Sequence, residues 1–262
     1  MRRPDLLKPG HRGMRWGVVL GVLLGLLVFA PARWLADGVN AASRGRVQLR
    51  DAQGTVWRGH AQWVLTSGAG GQDALALPER VHWQVFVKPN ASLWLQLQVA
   101  GSTPEPIGLA WTPRWSGTTV RLTSAHSVWP AQWLAGLGAP WNTMGLTGQM
   151  HLRLHQLQWS WQGQQGVLSG QAELECQDMA SALSTVQPLG SYTLQWQGGD
   201  KPTLQLRTAQ GKLRLQGTGS WGPQGFRFEG LARSESENDS ALRNLLGVLG
   251  QRRGNTTVLR WG

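Results

Sequence analysis

Residues 81–87 read VHWQVFV and residues 93–99 read LWLQLQV. In both stretches a large apolar side chain occupies every second position, and His, Gln or a further aromatic residue stands between. Because successive side chains of a strand point to opposite faces, this alternation predicts two strands. Each would carry one packed face and one wetter face, which is typical of antiparallel sheets.

The same alternation recurs along most of the chain, and Gly and Pro separate the runs. The sequence contains 35 glycines, which supply turns between short strands. In residues 150–161 the apolar positions change phase, so a bulge or bend near His155 and Gln156 is needed to keep them on one face. Further strands are predicted at 46–49, 61–66, 107–111, 119–123, 150–161, 171–176, 192–196, 203–208, 212–215, 226–232 and 257–261.

Helical signals are few and do not alternate regularly with strands, which argues against a parallel α/β fold. Short helices are predicted at 131–137 before Gly138, at 179–186 after Asp178, and at 240–249 after Asn238 and Asp239. We therefore predict a mainly β protein: a curved antiparallel sheet, half-pipe or sandwich-like, with two or three short helices. Weak internal similarity suggests two β repeats, at about 45–150 and 151–262.

The amino terminus carries the pattern of a membrane segment. Five basic residues and one acidic residue lie within residues 1–15, and an uncharged apolar stretch follows at 16–30. The pattern predicts a cytoplasmic tail at 1–15, a transmembrane signal anchor at 16–36 and a periplasmic β-rich domain at 37–262. Because the apolar stretch is short, a cleaved signal and a soluble core helix are the alternatives. The predicted anchor residues are Trp16, Leu20, Leu23, Leu24, Leu27, Phe29 and Trp34.

The charges and reactive residues exclude several functions. The net charge is +11, but the basic residues are spread out, so no nucleic-acid surface is predicted. The single cysteine, Cys176, rules out an intrachain disulfide and fits a small buried position. His151 and His155 would share a strand face around Arg153 with no carboxylate nearby, which is a poor metal site. We predict neither enzymatic activity nor a cofactor or metal.

Sixteen tryptophans leave one choice open. Buried between layers, they would form the core of the domain. Exposed in rows along a concave sheet, they would line a groove for an acyl chain or for a partner's peptide.

Several segments resemble type II secretion system protein N. They include GTVWRGHA at 54–61, LGAPWNT at 137–143 and PLGSY at 188–192, and weaker matches continue to residue 253. These motifs supply candidate structural or interaction residues: Trp57, Gly59, Leu137, Gly138, Pro140, Trp141, Asn142, Thr143, Pro188, Leu189 and Gly190.

The resemblance implies a non-enzymatic protein of the bacterial inner membrane, crossing it once, with most of its chain in the periplasm. It would help to assemble or stabilise the platform that exports folded proteins across the outer membrane. Its implied partners are the other inner-membrane platform proteins, with the secretin as a further candidate. The family is also distantly similar to AsmA-like proteins, so a lipid-binding or lipid-transfer groove is the alternative function.

Overall fold

The computed structural model describes residues 11–66, 74–89, 92–99, 101–115, 117–139, 141–162, 165–222, 224–235, 242–253 and 256–262. Most of this chain forms one antiparallel sheet of fifteen strands. The strands are β1 Val47–Gly54, β2 Arg58–Thr66, β3 Ala74–Val87, β4 Leu93–Val99, β5 Ile107–Arg114, β6 Gly117–Leu122, β7 Ala125–Pro130, β8 Leu146–Gln162, β9 Gln165–Ser181, β10 Gly190–Gln197, β11 Thr203–Gly211, β12 Leu213–Gly222, β13 Gly225–Ser234, β14 Gln251–Arg253 and β15 Thr256–Trp261.

Helices occupy the remaining elements. They are α1 His11–Val28, α2 Ala32–Ala42, a 3₁₀ helix Ala131–Leu137, α3 Trp141–Met144 and α4 Arg243–Leu249. The strands follow the order β1-β2-β3-β4-β5-β6-β8-β9-β10-β11-β12-β13-β15-β14, and β7 pairs with β8. The prediction of a mainly β protein built on one antiparallel sheet is therefore confirmed.

Strand register sorts the side chains onto two faces. Val81 pairs with Val99 and Trp83 with Leu97, whereas His82 pairs with Gln98. Because paired residues share a face, the alternation seen in the sequence produces an apolar face and a polar face that continue across the sheet. We call them the apolar face and the polar face below.

The predicted bend in residues 150–161 is confirmed. Gln156 has φ 49°, and the register between β8 and β9 shifts between His155 and Gln158. The extra residue brings Leu154, opposite Ala172, and Trp159, opposite Leu168, onto the same apolar face. The bulge also divides β8 between two partners, because its first half pairs with β7 and its last residues pair with β6.

Two groups of helices cover parts of the apolar face. The 3₁₀ helix places the fully buried Ala131 against a cluster that includes Tyr192, Phe228 and Leu259. Leu242 and Leu245, at the start of and within α4, are buried in a neighbouring cluster. Near the β1 edge of the same face, Ala32 and Leu35 of α2 pack against Ala61, Val81, Trp83 and Val99.

The predicted helices have different outcomes. The helix at 131–137 is confirmed as the 3₁₀ helix, ending at Gly138 with φ 83°. The prediction of a helix at 179–186 is wrong, because β9 continues to Ser181 and the backbone carbonyl of Met179 accepts a hydrogen bond from Leu189 N. The helix at 240–249 starts later, at Arg243, and its proposed caps Asn238 and Asp239 lie outside the described residues.

The segment predicted as an anchor at 16–36 is divided between two helices. α1 ends at Val28, and α2 begins after Pro31, whose extended backbone forms a bridge with Thr55. Because proline lacks the backbone N–H that a continuous helix needs, the break between α1 and α2 falls at Pro31. Among the residues that the structure describes, none of the helices combines the length and the apolarity needed to cross a membrane.

The polar face carries an ion-pair network around Arg153. Its guanidinium lies 2.5 Å from Glu175 Oε1 and 3.7 Å from Glu173 Oε2. The hydrogen bond from Arg153 lowers the pKa of Glu175 below its ordinary value. The expectation that no carboxylate stands near His151 and His155 is therefore wrong, since Glu175 pairs with His151 across the strands. Within the described ranges, no three potential ligands cluster to hold a metal ion.

Alkaline pH should destabilise the folded protein. Burial raises the pKa of the Cys176 thiol to about 11, and burial also raises the pKa of Tyr192. The unfolded chain ionises this thiol from about pH 8.5, so its contribution is complete below that pH and is lost as pH rises towards 11. The midpoint of guanidinium unfolding should fall between pH 7 and about pH 10.5, and it should fall less for Cys176→Ala than for the unsubstituted chain. Equal losses would contradict the assignment.

Candidate interaction surface

The antiparallel order places the ends of many strands side by side. β3, β5, β8, β10, β12 and β15 finish at the end of the sheet where β4, β6, β9, β11 and β13 begin. The turn between β1 and β2, residues 55–57, lies at the same end. We call this the upper end.

A cross-strand row of apolar side chains runs along the upper end. Register connects its members in sequence through five strand pairs, all on the apolar face. The row has six members; none of them is buried, and four are exposed. This apolar row consists of Val87, Leu93, Trp111, Val120, Trp159 and Leu168.

Exposed tryptophans concentrate at the upper end. Trp111 is 41%, Trp159 46% and Trp161 45% exposed, and Trp115 is fully exposed at the turn between β5 and β6. The rings of Trp159 and Trp161 stack with centroids 5.3 Å apart, and Trp111 Nε1 donates to Thr118 Oγ1 over 2.6 Å. Trp221 and Trp261 are exposed further along the same end, packed beside Phe226 and Phe228. Every exposed tryptophan in the described part of the sheet therefore lies at one end.

The amino-terminal helix joins the sheet at this same end. Trp57 Nε1 donates to Leu27 O over 2.7 Å, and Val56 N donates to Ala30 O over 2.9 Å. Both bonds connect the β1–β2 turn to the carboxyl end of α1 and the break that follows. Trp57, one of the predicted motif residues, therefore ties α1 to the sheet.

Over residues 16–28, α1 is exposed on all its sides. The predicted anchor residues Trp16, Leu20, Leu23, Leu24, Leu27 and Phe29 are all exposed, and so is Trp34 in α2. This uncharged part of α1, joined to the described sheet at its carboxyl end, has an unpartnered surface on every side.

Gly59 lies beside Trp57 and has a packing role. A Cβ atom at this position would lie 2.4 Å from Trp83 Cζ2 and 2.6 Å from Gln53 O. Trp83 is almost fully buried, and its Nε1 lies 3.2 Å from both Thr55 O and Val56 O. The missing side chain of Gly59 thus lets an indole support the turn that holds α1.

The motif at 137–143 lies away from the upper end, against the core. Trp141 is half-buried and packs on the cluster of Met144, Leu189, Leu213, Leu242 and Leu245. Leu137, Asn142 and Thr143 are exposed, and Asn142 N donates to Gly138 O. Pro140 lies outside the described residues.

The motif at 188–190 lies in the same region. Leu189 is buried, and its backbone donates to Met179 O and accepts from Leu213 N. Pro188 is exposed and follows a cis peptide bond. The structure therefore brings Trp141 and Leu189 together in one cluster and leaves Trp57 and Gly59 at the upper end. The predicted motif residues do not form a single site.

Replacing Trp141 with Ala should destabilise the domain by about 2 kcal/mol, less than the roughly 3–5 kcal/mol typical of a fully buried ring, because this one is only half-buried. Leu137→Ala is the matched control, since Leu137 is exposed on the same segment. Denaturant unfolding of both variants measures the difference. Unchanged stability with loss of partner binding would show instead that Trp141 is a contact residue.

Fold and surface together define a sheet protein whose exposed apolar groups are suited to attachment and binding. The chain belongs to the type II secretion system protein N family, whose model matches residues 45–259. The match confirms the resemblance seen in the sequence and covers most of the chain. Comparison with curated proteins and with solved structures gave no significant match. The family assigns the protein to protein secretion, and the lipid-groove alternative gains no support from it.

Proposed function

We propose that the protein is a non-enzymatic inner-membrane component of the type II secretion system that helps to assemble or stabilise its platform. The observation that supports membrane attachment is the uncharged part of α1, residues 16–28, which is exposed on all sides and joined to the sheet through Trp57. The uncharged part of α1, residues 16–28, is about 20 Å long at about 1.5 Å per residue. The hydrocarbon layer is the environment in which such an apolar surface is stable.

The assembly role is supported by the family match and by the two edge strands of the sheet. β1 pairs only with β2, and β14 pairs only with β15, among the strands that the structure describes. Edge strands of this kind accept a further strand from a partner through backbone hydrogen bonds. The other inner-membrane platform proteins and the secretin are the proposed partners.

Co-isolation tests this proposal. A tagged full-length chain, expressed at its native level, is purified from mildly solubilised membranes and the bound proteins are identified by mass spectrometry. We expect other type II secretion components to be enriched over an untagged control. A chain found in the soluble fraction, or one that enriches none of these components, would contradict the proposal.

A further inference from the structure

We propose that the upper end of the sheet, at the apolar row together with Trp115 and Trp161, lies in the headgroup layer of the membrane that holds α1. This inference rests on the proposed membrane attachment and adds a second contact to it. The occupant is a bilayer surface carrying anionic lipids.

Position is the first argument. The hydrogen bonds from Trp57 and Val56 fix the carboxyl end of α1 to the β1–β2 turn, at the upper end. β2 lies next to β3, where the apolar row begins at Val87. At about 4.8 Å per strand, the row from β3 to β9 extends about 24 Å along the sheet. A membrane that accommodates α1 is therefore already close to the row.

Chemistry is the second argument. The exposed members of this surface include four tryptophans, Trp111, Trp115, Trp159 and Trp161. Tryptophan concentrates at membrane interfaces because its ring is apolar and its N–H still reaches water or headgroups. Trp16 and Trp34, on either side of the exposed apolar residues of α1, are exposed as well. Tryptophans away from the upper end are less exposed: Trp63, Trp133 and Trp141 are half-buried.

Charge is the third argument. Arg58 at the start of β2 and Lys88 after β3 are exposed at the upper end, on the polar face, and Lys88 Nζ lies 3.7 Å from the centroid of the Trp94 ring. Lys201 stands further along the upper end, next to Asp200, which is the one acidic residue in the described loops of this end. The opposite end mixes signs, with Glu105 and Lys212 among its loop residues. Cations flanking an exposed apolar surface match anionic headgroups.

The test uses two spin-label reporters at opposite ends of β5. The full-length chain carries either Trp115→Cys or Glu105→Cys and is reconstituted in nanodiscs of phosphatidylcholine and phosphatidylglycerol. The unsubstituted chain, whose Cys176 is buried, is the labelling control. The ratio of relaxation by oxygen to relaxation by a water-soluble nickel complex measures the depth of each label.

We expect the ratio at residue 115 to be at least threefold higher than at residue 105, and to fall at least twofold when Trp159→Gln and Trp161→Gln are added. Equal ratios in chains that remain in the nanodiscs would overturn the inference and leave the proposed function standing. A label at 115 that stays aqueous and becomes immobile only with a purified partner protein would also overturn it. Chains that do not enter nanodiscs would overturn both the inference and the membrane attachment.

Discussion

Replacing Leu20 and Leu24 with arginine should release the protein from the membrane. Both side chains are exposed near the middle of α1. Each arginine placed in the hydrocarbon costs about 2.5–3.5 kcal/mol on insertion scales, so the pair should lower membrane partitioning by more than about a thousandfold. The sheet should keep its stability, because both side chains are exposed and outside its apolar clusters.

Fractionation after carbonate extraction measures this effect. The matched control is Leu20→Ile with Leu24→Ile, which keeps the helix apolar and should remain in the membrane pellet. If the arginine variant pellets with the membranes as fully as the control does, α1 is not the attachment.

Replacing Gly211 with Ala should destabilise the sheet by about 2–6 kcal/mol, the sum of a packing cost and a backbone cost. Gly211 pairs with Gly190 between β10 and β11, and a Cβ at 211 would lie 2.2 Å from Gly190 Cα and 2.4 Å from Leu189 O. Both obstacles are backbone atoms, so the strands must separate, at about 1–3 kcal/mol for overpacking. The backbone also has φ 127°, which costs a further 1–3 kcal/mol or so for an L residue.

Gly199→Ala separates these two contributions. Gly199 has a similar φ of 125°, but a Cβ added there would meet no atom of the described chain within 4 Å. This control should therefore lose only the backbone part, about 1–3 kcal/mol. Guanidinium unfolding of the two variants gives the comparison, and equal destabilisation would mean that the close approach of Gly190 and Gly211 is unimportant.

Much of the sheet could be predicted because its alternation is local. Residues 93–99 form a strand with the predicted bounds, and the phase change at His155 and Gln156 correctly located the bulge. β7 was missed, because its apolar-face positions include the small residues Ala125 and Ser127, which carry little periodic signal. The prediction of a helix at 179–186 is wrong because β9 remains paired with β10 as far as Met179, which lies opposite Gly190.

The surface at the upper end could not be predicted from the sequence. Val87, Trp111 and Trp159 are far apart in the chain, and only the register of five strand pairs aligns them. The sequence did offer one usable signal, since Trp111, Trp161, Trp196, Trp221 and Trp261 all lie near the carboxyl ends of strands. In an antiparallel sheet, alternate strands end on the same side, so this recurrence indicates a shared end.

The measurement that tests the central claim most directly is secretion in a strain from which the gene has been deleted in frame. Quantitative proteomics of the medium and the periplasm compares this strain with one complemented by the full-length gene. If the protein is a working component of the type II secretion system, its export substrates should accumulate in the periplasm, and complementation should return them to the medium. Unchanged export in the deletion strain would contradict the account.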